Sequence, residues 1–251
     1  MTRLPTLFVA HGSPMLALDK EKGADYTRWA ESLPRPEAIL IMSAHWVTRY
    51  PVLGTTTKRD LIYDFGGFPE KLYKIVYPAA RAPYLAEKVK NLLSEKFRTA
   101  QMESRGLDHG VWVPLYHMYP SASIPVLQIS LPLDESLLDL GKTLSVLRDE
   151  GVLIIGSGVV VHNLGRMNME PEAKPEQWAL DFDQWVETAL LKGDDLSNYK
   201  ESSPQFDLAH PTPEHFLPLL FAAGAAPNAK VTFPITGFEY GNLSRRCVQF
   251  E

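Results

Sequence analysis

Seven histidines, His11, His45, His109, His117, His162, His210 and His215, are the side chains of this sequence best suited to chemistry. A neutral imidazole binds first-row metals, and it titrates near neutral pH, so a cluster of imidazoles can hold a metal or move protons. No two of the seven stand four residues apart, so no helix presents a metalloprotease-type pair, and any shared site is assembled from distant segments. One cysteine, Cys247, is present, which excludes an intramolecular disulfide and a thiolate metal cluster. Any metal is therefore held mainly by nitrogen and oxygen.

The flanking residues say how the histidines are carried. His11 closes the apolar run Thr6–Ala10, which reads as a buried strand stopped by Gly12-Ser13-Pro14. The same grammar recurs where Ala38–Ser43 leads through Ala44 into His45 and Trp46. In an open α/β sheet, ligands and metals collect at the edge where such strands end, so the two repeats suggest one shared site. His109 lies in the loop Arg105–Gly110, His162 follows the strand Val152–Gly156 and a run of valines, and His215 opens a helix over Glu214–Ala223. His117, among the packing residues Leu115–Tyr119, and His210, before Pro211, read as hydrogen-bonded or turn-ordering histidines.

The rest of the chain must position these residues. At 251 residues, 45% apolar and 22% charged, it can bury a large core. Predicted helices cover Asp25–Ser32, Glu70–Ile75, Pro83–Lys96, Val113–Tyr119, Leu137–Asp149 and Gln177–Leu191. Predicted strands add Pro51–Thr56, Thr99–Met102, Ile124–Ser130, Val231–Ile235 and Cys247–Phe250. This alternation predicts an α/β fold, a single domain over 1–251 with a central mixed, largely parallel sheet flanked by helices on both faces.

The formal charge of −5 argues against a nucleic-acid partner. No segment reaches the roughly 20 apolar residues of a membrane span, and no signal-peptide core is visible, so the expected location is cytoplasmic. A homo-oligomer is compatible with everything in the sequence.

Six segments together resemble a known family. They are His11-Gly12-Ser13-Pro14, Ser43-Ala44-His45-Trp46, Asp64-Phe65-Gly66-Gly67-Phe68-Pro69, Asp108-His109-Gly110, Val161-His162-Asn163 and Pro211-Thr212-Pro213-Glu214-His215. They look like the signature segments of the DOPA 4,5-dioxygenase extradiol family, class III extradiol ring-cleavage enzymes related to the catalytic subunit of protocatechuate 4,5-dioxygenase. The resemblance runs in order from His11 to about Phe250.

That resemblance implies one mononuclear divalent metal, Fe(II) for activity or Zn(II) as bound, with a small aromatic diol such as DOPA and O2 as reactants and a muconic semialdehyde as product. Carried over position by position, His11, His45 and His215 match the metal ligands. His162 matches either a further ligand or an acid/base, and His109 matches a histidine that contacts dioxygen or substrate. Protocatechuate-type enzymes place a carboxylate third, where this chain has histidine. Two histidines and a carboxylate are diagnostic of non-haem iron, whereas three histidines suit zinc equally. Glu214, beside His215, is the alternative third ligand.

Trp46, Asp64, Phe65 and Phe68 are expected in the substrate pocket, with Gly66-Gly67 letting their loop bend. Arg105, Arg166 and Arg245 are candidate partners for a substrate carboxylate. Asp64-Phe65-Gly66 has no accompanying kinase loops, and Gly156-Ser157-Gly158 lacks the spacing of a hydrolase elbow. Two other readings of the histidines are a zinc hydrolase with a bound water, and a non-catalytic metal-binding protein.

Overall fold

Residues 7 to 9 show in miniature how the molecule is layered. Leu7 and Val9 pack into one core and Phe8 into another, because successive side chains of a strand face opposite ways. The computed structural model describes residues 3–194 and 196–251. Its strands and helices run β1 (Thr6–Ala10), α1 (Lys20–Glu31), β2 (Ala38–Thr48), β3 (Val52–Gly54), α2 (Pro83–Leu93), β4 (Ala100–Met102) and α3 (His109–Met118). They continue through β5 (Val126–Pro132), α4 (Leu137–Leu144), β6 (Val152–Gly158), α5 (Gln177–Lys192), α6 (Tyr199–Ser202), α7 (Phe206–Ala209) and α8 (Leu217–Gly224). Four short strands finish the order, β7 (Val231–Thr232), β8 (Phe238–Glu239), β9 (Leu243–Ser244) and β10 (Val248–Phe250).

Eight strands form one sheet in the order β4-β3-β5-β2-β6-β1-β10-β7. The four central strands, β5, β2, β6 and β1, are mutually parallel, and antiparallel contacts of β3 with β5 and β10 with β1 flank them. Ile39, Ile41, Leu153 and Ile155 join Leu7 and Val9 against α1 and α3. Leu40, Met42, Ile129 and Ile154 join Phe8 beneath α2, α4, α5 and α8. Both faces are covered, as an α/β sheet requires. Among the described residues no helix is long and apolar enough to cross a membrane.

Several boundaries differ from the sequence expectation. Helix α1 starts at Lys20 because the Asp19 side chain accepts hydrogen bonds from the backbone N–H of Glu21 and Lys22, a cap upstream of Asp25. Helix α3 starts at His109, with Asp108 at its N-cap, four residues before the predicted start at Val113 and including Gly110 of the predicted loop. The predicted 137–149 helix ends as α at Leu144 and tightens to a 3-10 helix, Ser145–Glu150. Strand β2 runs on through His45 to Thr48, with its register against β5 shifting between Met42 and Val47. The two-stranded sheet β8–β9 was not predicted.

Candidate metal centre

The centre is built where β1 and β6 end beside β2, which carries His45 three residues before its own end. His11 follows the last residue of β1, and its backbone N–H donates to the Gly158 carbonyl at 3.1 Å. His215 sits in a 3-10 turn, Pro213–His215, whose last carbonyl accepts from the Val159 N–H at 2.9 Å. That turn can lie so close because residue 158 is glycine: a Cβ there would meet the His215 carbonyl oxygen at 2.1 Å. Two segments distant in sequence, those of His11 and His215, are thereby stitched to the end of β6.

The His11 and His45 Nε2 atoms are 3.1 Å apart, and one ring nitrogen from each of His11, His45 and His215 lies within 4.8 Å of the others. Hydrogen bonds set which nitrogens face inward. The Ser157 hydroxyl donates to the Gly110 carbonyl at 2.5 Å, so its oxygen accepts from Nδ1–H of His11 at 3.0 Å and leaves Nε2 with the lone pair. Glu214 Oε1 likewise accepts from Nδ1–H of His215 at 3.0 Å. Such partners fix the tautomer and raise ligand basicity.

Burial, and then the neighbouring imidazoles, holds His11 and His215 well below the ordinary histidine range. Burial and the adjacent His109 bring His45 to about 4. All three are therefore neutral donors near pH 7. A divalent metal bound about 2.0–2.1 Å from each nitrogen separates neighbouring nitrogens by about 2.9–3.4 Å, between octahedral and tetrahedral geometry. The 3.1 Å spacing fits such an ion.

Two further histidines complete the cluster. His109 donates its backbone N–H to Asp64 Oδ1 at 3.1 Å and its Nδ1–H to the same oxygen at 2.8 Å, and its ring lies 4.0 Å from that of His45. Burial pushes the Asp64 carboxyl up, but the hydrogen bonds and charge of His109 outweigh it and bring the group to about 2. His162 stacks on His215 with ring centroids 3.6 Å apart and planes 9° from parallel. Its nitrogen groups with Glu214 and His215 and not with the His11, His45 and His215 set. Burial lowers His162 to about 4.

A charged support lies behind His45. Asp108 is fully buried and accepts from Ser43 Oγ at 2.7 Å, Arg105 at 2.9 Å and Gln128 Nε2 at 2.5 Å, while Arg105 also donates to the His45 carbonyl at 3.0 Å. Gly110 lets α3 approach: a Cβ there would meet Ser43 Oγ at 2.4 Å and His45 Cδ2 at 3.0 Å.

A cavity of about 940 Å³ opens over the cluster, lined by all five of these histidines with Asp64, Phe65 and Phe68 from the glycine-rich loop. Trp46 is a correction. It is buried beneath the Arg105 guanidinium, 4.8 Å from its ring, and is not part of the cavity wall. As neighbours on β2, His45 and Trp46 point to opposite sides. Arg105 and Arg245 are likewise engaged elsewhere, Arg245 with Asp25 at 2.9 Å, and Arg166 is exposed outside the wall.

Leu164, Met167, Met169 and Leu243 also line the cavity. They gave no signal in sequence, being single apolar residues in polar stretches, and the exposure of Leu164 and Met169 becomes intelligible only at a cavity mouth. His117 and His210 lie outside it, donating Nε2–H to the Leu16 and Val160 carbonyls.

Residues 5–250 match the family model described as the catalytic LigB subunit of aromatic ring-opening dioxygenase. The chain belongs to this family. Within it, the chain is 40% identical to a protein named 4,5-DOPA dioxygenase extradiol from Escherichia coli K12, over 99% of this chain and 95% of that one. A protein of the same name from Beta vulgaris is 42% identical, over 98% and 96% of the two chains. The crystal structure of an uncharacterized Escherichia coli K12 protein superposes with a TM-score of 0.84 at 34% identity, covering 99% of this chain and 100% of that one. The family's enzymes are metal-using dioxygenases acting on aromatic rings, and the chain is an oxidoreductase of this extradiol class, which displaces the hydrolase and non-catalytic readings.

Proposed function

We propose that the chain cleaves the ring of a catechol with a DOPA-like side chain, using O2 and one divalent metal, to a muconic semialdehyde that keeps both oxygen atoms. The observation that carries this is the set of three neutral imidazole nitrogens within 4.8 Å at the floor of a cavity, in a chain of the extradiol family. His11, His45 and His215 hold the metal. Ferrous iron is the working ion, and zinc competes for the same three nitrogens. When bound, the iron supplies coordination positions for both reactants and the redox chemistry that joins them.

The remaining residues handle orientation and protons. His162, held neutral by burial, accepts a proton from a catechol hydroxyl, and its stacking on His215 fixes where that proton is taken. Asp64 binds Nδ1 of His109, so Nε2 is the nitrogen available to hydrogen-bond an oxygen of the bound reactants. Phe65 and Phe68 pack edge to face, with centroids 5.4 Å apart, and supply apolar wall for the ring.

The test is anaerobic reconstitution with Fe(II), addition of DOPA, and admission of air. One O2 consumed per DOPA and a yellow ring-opened product support the proposal. No oxygen uptake with any catechol overturns it.

A further inference from the structure

We propose that Glu214 reads the substrate's side chain, favouring a catechol whose arm carries an ammonium and disfavouring one whose arm carries only a carboxylate. This rests on the ring-cleavage reading and adds the chemical class of the substrate's arm. The cavity, about 940 Å³, is at the upper end of small-molecule sites and has room for a ring and an arm. Its charged wall has one sign. Asp64 and Glu214 line it, and none of the described lining residues is lysine or arginine.

The two carboxylates are not equivalent. Asp64 turns Oδ1 to His109 and Oδ2 toward His45, at 3.6 Å. Glu214 uses Oε1 alone, accepting from Thr212 Oγ1 and His215 Nδ1 at 3.0 Å each, and its Oε2 has no hydrogen-bond partner among the described residues. The Glu214 side chain is 24% exposed, accessible yet partly desolvated, where a charge-assisted hydrogen bond is worth more than in water. Leu164, Met167, Met169 and Leu243 add apolar wall to the same cavity that a short alkyl arm can contact. An ammonium at its end completes Glu214, whereas a carboxylate there meets like charge with no lysine or arginine in the wall to offset it, the charge of the bound metal being met by the two catechol oxygens.

Three catechols of similar size separate these effects: dopamine, 4-ethylcatechol and 3,4-dihydroxyphenylacetate. Their kcat/KM is measured with the Fe(II)-loaded protein in air, and their affinity by calorimetry under argon, where no turnover occurs. Dopamine should exceed 4-ethylcatechol by about tenfold in both, the size of one charge-assisted contact, with 3,4-dihydroxyphenylacetate below 4-ethylcatechol. Glu214→Gln keeps an oxygen for His215 Nδ1–H and removes the charge. It should bring the dopamine to 4-ethylcatechol ratio close to one, whatever it does to the rate they share.

A 3,4-dihydroxyphenylacetate affinity equal to or above that of dopamine, or an unchanged ratio in Glu214→Gln, overturns the inference. Failure to cleave any of the three, and DOPA as well, overturns the ring-cleavage reading instead, and the anaerobic affinities still decide the side-chain preference.

Discussion

Ser157 on β6 donates to the carbonyl of Gly110 on α3, and that bond dictates which nitrogen of His11 faces the metal centre. In an unbroken helix that carbonyl would accept from the N–H four residues on. Here that residue is Pro114, which has no N–H, so the oxygen is left for the serine. A helix-breaking residue is thus part of the support of a ligand two elements away.

Ser157→Ala removes both ends of this relay. The His11 ring loses its acceptor and the tautomer preference that keeps Nε2 unprotonated. Metal affinity should fall by about 10–100-fold, as for other partners of ligating histidines. A chelator-competition titration with Zn(II) or Fe(II) reads this directly, and affinity within about twofold of the parent would refute it.

Gly110→Ala tests the close packing of α3 on β2. The added methyl would fall 2.4 Å from Ser43 Oγ and 3.0 Å from His45 Cδ2, so His45 or the helix has to move. A stability loss of about 1–3 kcal/mol is expected from overpacking, with weaker metal binding. Thermal unfolding and the same titration measure the two effects, and unchanged values in both would show that the site tolerates the shift.

Asp64→Asn probes orientation and charge together. The carboxyl lies near 2 in the folded protein, below its ordinary value, so it stabilises the fold above about pH 4 and loses that contribution as pH falls through about 2. With solvent screening the expected loss at pH 7 is about 1 kcal/mol, accompanied by a flatter acid limb. Ring cleavage should fall by about 10²-fold because His109 loses its orienting anion. A pH series of denaturant midpoints, together with oxygen-uptake rates, checks both.

His210 contributes in the same direction at higher pH, through burial rather than an ion pair. It is 1% exposed, donates Nε2–H to the Val160 carbonyl at 2.7 Å, and is lowered to about 3 by burial. A histidine depressed in the folded state favours folding above about pH 6.5, and that contribution is lost as pH falls from there toward 3. Acid unfolding of the metal-free protein should therefore begin below pH 6.5 and be shallower in His210→Gln. An identical pH dependence in the two proteins would remove His210 from the account.

The strands were legible because Thr6–Ala10, Ala38–Ser43 and Val152–Gly156 are continuous apolar runs, which only burial on both sheet faces explains. The start of α3 was not. Gly110 was read as the end of the loop from Arg105 and Pro114 as a first-turn residue of a helix from Val113; both lie inside α3, where Gly110 permits contact with His45 and Pro114 frees a carbonyl for Ser157. The same holds for the extension of β2, since the register shift after Met42 answers to β5 rather than to local propensity.

Within the site, the histidines stood out by type, and His11 by its place just past the end of a strand. Trp46 was misplaced because the sequence shows it beside His45 but not that the strand continues through both. Ser157 was dismissed as a failed nucleophile, when its use is to accept a hydrogen bond. The apolar mouth was invisible, because its members meet only in three dimensions.

Gly158 holds the turn of His215 against β6, which puts the third imidazole more than two hundred positions after the first in a chain of 251 residues. During synthesis, His11 and His45 leave the ribosome long before His215 is made. A growing chain can offer a metal only two of these three nitrogens until most of its length is translated. With His11, His45 and His215 as the proposed ligands, a product truncated before residue 215 lacks one of the three.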